Sequence, residues 1–174
     1  MQSFRIIVLL FVLAVPVSAQ ASRGERYLSA ELQYRPAKSR FAGYLHTPAL
    51  SLGGGFHLTD FALFEGMAYY GLTGSQGALR HVWGGEMTLR LLIDATQWIP
   101  SIGPVVGWIF SSDEPDGFNN AFYLGAHACV DYRNVRSFSY AICGSITAVP
   151  YDGDFAAMYL LGFRLNGFLP YLFE

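Results

Sequence analysis

Charge is scarce in this chain. Only 14% of its 174 residues are charged, 11 Lys+Arg against 13 Asp+Glu, where a water-facing domain carries about 25%. The formal balance of −2 excludes the basic footprint that nucleic acid requires. Cysteine is nearly absent, two residues in all, so the chain is neither a disulfide-framework miniprotein nor a Cys-rich zinc module. Long apolar runs are missing too. Ile6–Val15 is the longest uninterrupted one, well short of the ~20 residues a spanning helix needs. With 52% hydrophobic and 16% aromatic residues, disorder is excluded as well.

What is present begins with a targeting signal. Residues 1–19 hold one cation, Arg5, then the apolar run, Pro16 and Val17-Ser18-Ala19. This pattern predicts export and cleavage between Ala19 and Gln20. The remaining domain, 20–174, keeps 10 basic and 13 acidic residues after the loss of Arg5, a net −3.

Along that domain, apolar residues recur with a period of two in eight segments. The segments are about Arg26–Arg35, Ala49–Leu58, Phe61–Gly71, His81–Leu92, Ser101–Phe110, Phe122–Tyr132, Ser137–Val149 and Ala156–Phe168. Such alternation predicts half-buried strands. In the first, Leu28, Ala30, Leu32 and Tyr34 share a face opposite Tyr27, Ser29, Glu31, Gln33 and Arg35. Over all eight segments the apolar faces total 36 positions without one Asp, Glu, Lys or Arg; at 14% charged, chance would supply about five. The opposite faces collect Glu31, Arg35, Glu65, Glu86, Arg90, Asp131 and Arg164, with many small residues.

A soluble lipocalin-like barrel needs the reverse arrangement, apolar inside and polar outside, and an uncharged exposed belt would aggregate in water. Strands facing lipid fit instead. A sheet in lipid must close, because every amide needs a partner, and eight strands leave an interior that side chains can fill. Long connections are expected at about Pro36–Pro48, Leu72–Arg80, Ser111–Asn120 and Pro150–Phe155. Tight ones are expected at Thr59-Asp60, Asp94–Gln97 and Arg133–Arg136. This alternation is that of an up-and-down barrel whose short turns face the periplasm. Aromatic rims are expected at both interfaces. Tyr34, Tyr70, Trp83, Trp108 and Phe110 would form the outer one; Phe56, Trp98, Tyr132, Phe138 and Phe168 would form the inner one.

Three segments carry a family likeness: Gly53-Gly54-Gly55-Phe56-His57-Leu58-Thr59-Asp60-Phe61-Ala62-Leu63-Phe64-Glu65-Gly66, Pro100–Trp108 and Leu124–Arg133. Their hairpins and Pro/Gly-rich central strand resemble the small OmpA/OmpX-type outer-membrane β-barrels. The resemblance implies a fold and a compartment, the outer membrane of a Gram-negative-type bacterium, with insertion by the barrel-assembly machinery, and it carries no catalytic residue. Tyr171-Leu172-Phe173 is followed by Glu174, whereas such barrels often end on an aromatic residue.

Candidate chemistry concentrates on the inward faces. Glu31, Glu65, Glu86, Arg90, His127 and Arg164 fall near mid-strand and predict a mutually neutralising network that fills the lumen, since buried charges must pair. A narrow ion path is the functional counterpart. Cys129 and Cys143 both point inward; a hairpin centred on Arg136 pairs them directly, and one centred a residue earlier leaves them diagonal, too far for a bond. A lipid A hydrolase or acyltransferase would need Ser, His and a carboxylate together at the outer rim. His46, His81, Ser51, Ser75, Ser111 and Ser112 are within range, but no His-x-Ser motif occurs. Scattered histidines and the acidic run Asp113-Glu114-Pro115-Asp116 predict no metal site, and no cofactor is expected. Lys38 and Arg40 could meet lipid phosphates. The expectation is thus an eight-stranded, non-enzymatic outer-membrane barrel with a structural or surface-interaction role, set among outer-membrane lipid and lipopolysaccharide, whose loop partner is not written in the sequence.

Overall fold

The computed structural model describes residues 24–39, 43–75, 78–93, 97–111, 120–133, 135, 137–151 and 154–169. The export signal, Arg40, Ser112 and the acidic run 113–116 lie outside them. The described residues form eight strands: β1 (Arg26–Ser39), β2 (Gly43–Thr59), β3 (Ala62–Ser75), β4 (Ala78–Leu92), β5 (Trp98–Ser111), β6 (Asn120–Tyr132), β7 (Phe138–Tyr151) and β8 (Asp154–Phe168). Each pairs antiparallel with its sequence neighbour, and β8 closes on β1. Closure leaves no edge strand, so the ladder supplies partners for backbone groups all round the wall.

The register fixes the barrel's shape. From Leu28, successive partners run Gly54, Gly66, Met87, Val106, Leu124, Ala148 and Ala157, then return to β1 at Lys38. One circuit therefore advances the chain by ten residues, from 28 to 38. A shear of ten over eight strands tilts each strand by about 40° and sets a backbone radius of about 8 Å. Each residue then climbs about 2.5 Å along the barrel axis.

Alternation decides the sidedness. Leu28, Leu32, Leu50, Leu52, Ile102, Val106, Leu124, Ile142, Ile146 and Leu161 are exposed, while Glu31, Glu65, Glu86, Arg90, His127 and Arg164 are buried. The molecule is greasy outside and ionic inside.

The connections differ from expectation. Most of the stretches predicted as long loops continue as strand: β1 runs on to Ser39, β2 begins at Gly43, β3 ends at Ser75, β4 begins at Ala78, β7 ends at Tyr151 and β8 begins at Asp154. Pro36, Pro48 and Pro150 suggested breaks, but each sits within a strand. Proline forfeits one ladder bond, a loss that water can make good beyond the hydrocarbon. Strands of 13–17 residues rise about 33–43 Å, more than the ~25 Å apolar band of an outer-membrane barrel. The wall is therefore taller than such a band. We call the end bearing the β1–β2, β3–β4, β5–β6 and β7–β8 connections the loop end, and the other the turn end.

Candidate functional site: a sealed ionic lumen

Closing the sheet brings the inward charges together. Arg164 on β8 lies at the centre. Its Nε donates to Glu31 Oε2 at 2.7 Å and its Nη1 to both oxygens of Glu65 at 2.7 and 2.6 Å. Glu65 also accepts from Arg90 Nη2 at 2.9 Å and from the Tyr27 hydroxyl at 2.7 Å. Arg90 reaches Asp131 at 3.7 Å. Asn166 ties Asp131 at 2.9 Å to Ser139 at 3.0 Å and accepts from Ser29 at 2.6 Å. Guanidinium forks matched to carboxylates make charge-assisted bonds, the strong kind in a low dielectric.

A second cluster stands nearer the loop end. Arg35 donates to Glu86 at 2.8 Å and to Gln33 at 2.8 Å, with its guanidinium 3.8 Å from the Tyr69 ring centroid. Tyr123 donates to Glu86 at 3.0 Å. A third pair closes the turn end: Arg133 grips both oxygens of Glu25, at 2.8 and 2.6 Å, and lies 3.8 Å over the Phe168 ring. The described buried residues thus include five carboxylates (Glu25, Glu31, Glu65, Glu86, Asp131) and four guanidiniums (Arg35, Arg90, Arg133, Arg164).

Apolar layers cap this interior at both ends. Toward the turn end, Tyr27, Leu63, Leu92, Ile99 and Phe168 pack together, each the first or second residue from the turn end of its strand. Toward the loop end, Tyr69, Val82, Val105, Ile109, Tyr123, Val149 and Met158 form a larger cluster, with Ala37 and Ala121 against it. A cavity of about 20 Å³ beside the turn-end layer has room for roughly one water. An ion crossing the lumen would have to pass two apolar constrictions, each of which resists wetting, and displace arginines between them.

Close packing shows in the glycines. A Cβ at Gly162 would overlap the carboxylate of Glu31, and one at Gly84 would meet the Tyr69 hydroxyl. Both glycines make room for a lumen side chain of the adjacent strand, Glu31 of β1 beside β8 and Tyr69 of β3 beside β4.

Cys129 and Cys143 are directly paired in the β6–β7 ladder and joined as a disulfide. The hairpin is therefore centred on Arg136. His127 Nε2 lies 3.1 Å from Cys129 Sγ. The ligating atoms of His127, Cys129 and Cys143 sit within 4.8 Å of one another, but metal binding requires thiolates, which the bonded sulfurs are not.

The rims are unequal to expectation in one place. Tyr34, Tyr70, Trp83, Phe56, Trp98 and Phe138 are exposed, and Trp108 and Phe110 half-buried. Trp83 stacks on Phe110 with ring centroids 6.1 Å apart. Tyr132 is covered by Trp98, at 4.6 Å. Phe168, placed in the inner rim by the sequence reading, instead turns inward at 5% exposure and joins the turn-end layer. Its parity explains this: even-numbered residues of β8 from Ala156 to Phe168 are buried.

The rim histidines meet tyrosines. The Tyr34 hydroxyl bonds His46 Nδ1, and the Tyr70 hydroxyl bonds His81 Nδ1. Ser51, by contrast, is buried and donates to the Ala68 carbonyl at 3.2 Å.

No protein-family model matches the chain, and no curated protein does. Solved structures do. Neisserial surface protein A superposes with a TM-score of 0.65 at 12% identity, covering 82% of this chain and 96% of that one. AlkL, an outer membrane protein determined in lipid bilayers, gives 0.59 at 12% identity over 88% and 94%. OprG of Pseudomonas aeruginosa gives 0.52 at 11% identity over 84% and 98%. The chain has the fold of the small outer-membrane β-barrels. Eight strands in an antiparallel meander fit the OmpA/OmpX type.

Of the six residues expected to share one network, Glu31, Glu65, Arg90 and Arg164 meet around Arg164, whereas Glu86 pairs with Arg35 in the second cluster and His127 meets Cys129 Sγ; Glu25, Arg133, Tyr27, Tyr69 and Tyr123 were passed over as partners of these charges. Glu25 precedes the first strand and Arg133 was assigned to a turn. The signal that could have found Arg133 is its inward parity, shared with Cys129 and Asp131.

Proposed function

We propose that this barrel is a non-enzymatic scaffold of an outer membrane, closed to solutes, which acts through the hairpins it raises at the loop end. The observation that carries the reading is the layered lumen: an ionic core between two apolar layers, with Arg164 bonded to both Glu31 and Glu65. Such an interior suits rigidity rather than transport, since open channels come with larger strand numbers. A rim hydrolase needs a serine activated by a histidine, whereas His46 and His81 are each engaged by a tyrosine. Export of the chain and insertion by the barrel-assembly machinery belong to the same proposal.

The test combines planar-bilayer recording with heat-modifiable gel mobility. A folded, fast-migrating band that inserts without conductance is the expected result. Discrete conductance steps would overturn it in favour of a pore. Acyl-chain release from lipopolysaccharide by purified protein would overturn the non-enzymatic part.

A further inference from the structure

The strand prolines follow a rule. Five lie within described strands: Pro36, Pro48, Pro100, Pro104 and Pro150. In an antiparallel ladder each residue turns its N–H and C=O to one neighbour, and the next residue turns its own to the other. Single bonds fix the phase here. His57 N donates to Glu25 O, Ile93 N to Pro100 O and Phe168 N to Ser137 O. Counted along the registers from these bonds, Pro36 faces β8, Pro48 faces β3, Pro100 and Pro104 face β4, and Pro150 faces β6. Four hairpins are connected at the loop end: β1–β2, β3–β4, β5–β6 and β7–β8. Every proline turns away from its own hairpin partner and toward a seam between hairpins, and each of the four seams receives at least one.

The ladders show the consequence, since a proline forfeits a ladder bond. Inside the hairpins pairing runs without a gap to Ser39 and Gly43, Ser75 and Ala78, Phe110 and Asn120, and Tyr151 and Asp154. The β8–β1 seam skips Arg35 and Pro36, and the β4–β5 seam skips Gly103 and Pro104. The other two seams stop short of the loop end although their strands run on. Pairing of β2 with β3 ends at Ala49 and Gly71, beside Pro48, and pairing of β6 with β7 ends at Leu124 and Ala148, below Pro150. These two seams are four strands apart, on opposite sides of the barrel. They divide the loop end into two leaves, β3–β6 and β7–β2. Only the β6–β7 seam is stapled, by Cys129–Cys143. The staple sits two residues to the loop-end side of a row that runs Asp131, Ala141, Arg164 and Glu31 across β6, β7, β8 and β1, which is the centre of the ionic network.

We infer that the two leaves part along these seams, and that the Cys129–Cys143 bond is a redox-set stop that keeps the β6–β7 parting out of the ionic core. A ladder opens locally from the end where its pairing ceases, and a covalent link across it halts the opening. With a dithiol reductant, two electrons and two protons pass to the bond, which becomes two thiols while the dithiol closes to its own disulfide. The β6–β7 seam then opens past Val130 and Ile142, to Asp131 and the arginines around it. The unstapled β2–β3 seam is indifferent to this change. The inference goes beyond the closed-scaffold reading and does not depend on it.

The test is hydrogen exchange of the refolded full barrel, followed amide by amide by NMR in phosphatidylcholine nanodiscs. Each seam amide has a hairpin amide beside it at the same depth, so shielding by lipid cancels in the comparison. In the oxidised barrel the seam amides of Leu124, Ala148, Leu50 and Tyr70 should exchange about tenfold faster than the hairpin amides of Gly125, Thr147, Ser51 and Tyr69. Val130 and Ile142, just beyond the bond, should be as slow as their hairpin neighbours Asp131 and Ala141. Refolding with dithiothreitol present, or the Cys129→Ser, Cys143→Ser variant, should speed Val130 and Ile142 about tenfold and leave Leu52 and Ala68 of the β2–β3 seam unchanged. Pro150→Val, which returns an N–H to the β6–β7 seam, should slow Leu124 and Ala148 about tenfold. Gel mobility certifies that each form is folded. Equal rates for seam and hairpin amides would overturn the inference, and so would Val130 and Ile142 rates that ignore reduction. Reduction that speeds both seams alike would overturn it too, making the bond a general stabiliser. A conducting barrel would defeat the closed-scaffold reading and leave these exchange rates untouched, so the two failures are separable.

Discussion

Glu65 shows what a single side chain does here. Its two oxygens serve Arg164, Arg90 and Tyr27 at once, so its removal strands two buried guanidiniums. Breaking a buried pair from one side costs about 3–5 kcal/mol, whereas replacing both partners by apolar groups can be neutral. We therefore expect Glu65→Ala to lower barrel stability by that amount in urea titrations in detergent micelles. The Glu65→Leu, Arg90→Leu double variant should lose less than the sum of its single changes. An unchanged urea midpoint for Glu65→Ala would mean that the lumen is hydrated rather than sealed. Two neighbouring glycines on β7 and β8 make a paired test. In Gly162→Ala the new methyl must push aside a carboxylate that Arg164 holds, whereas in Gly144→Ala the nearest atom, the Leu160 carbonyl oxygen, is 3.4 Å away. The first should cost about 1–3 kcal/mol, the usual penalty of overpacking, and the second should leave the same urea midpoint almost unmoved.

Among the elements, the β6–β7 hairpin carries the covalent tie. Cys129 and Cys143 are separated by 14 residues, and cross-linking a loop of that size stabilises by about 3 kcal/mol where the constraint acts on the unfolded chain. The Cys129→Ser, Cys143→Ser variant should still give a heat-modifiable band, because eight ladders remain, but with a lowered unfolding midpoint. Wild type should take up no thiol label until reductant is added; labelling without it would remove the staple. The strands also show what the sequence could and could not tell. An apolar outer face and an ionic lumen demand alternation at every step, so the face occupied by Leu28, Ile102 or Glu86 could be read directly. Toward the loop end the alternation is less regular, and prolines 36, 48 and 150 pointed to loops where strand continues. Nor could pairing inside the lumen be read. Glu31 and Glu65 meet on Arg164 only because the shear is ten, and shear depends on which residue opposes which all the way round. The Tyr34–His46 and Tyr70–His81 diagonals escaped for the same reason: each is a register fact, invisible until β1–β2 and β3–β4 are aligned.

At the scale of the whole molecule, register, tilt and rims together prescribe the membrane that fits. Trp98 and Phe110 stand on one strand, β5, one in each rim and twelve residues apart, hence about 30 Å along the axis at this tilt. Rings prefer the boundary between hydrocarbon and headgroup, so the belt between them, lined by Ile102 and Val106, should match a hydrocarbon core of about 25–30 Å. A thinner bilayer would leave that belt in water, and a thicker one would draw the histidines of the loop end into oil, each at a modest cost per ångström. Unlike a helix, a closed barrel with a filled lumen cannot tilt its strands further to compensate, because the shear is fixed by hydrogen bonds and the interior by Arg164 and its partners. Refolding yield across a series of phosphatidylcholines of increasing acyl length should therefore peak where the core thickness matches the rim spacing and fall on both sides. Tryptophan emission, from Trp83 and Trp108 at one rim and Trp98 at the other, should be bluest at that peak. A yield that rises steadily toward the thinnest bilayers, with no maximum, would show that bilayer defects rather than the aromatic belt govern insertion.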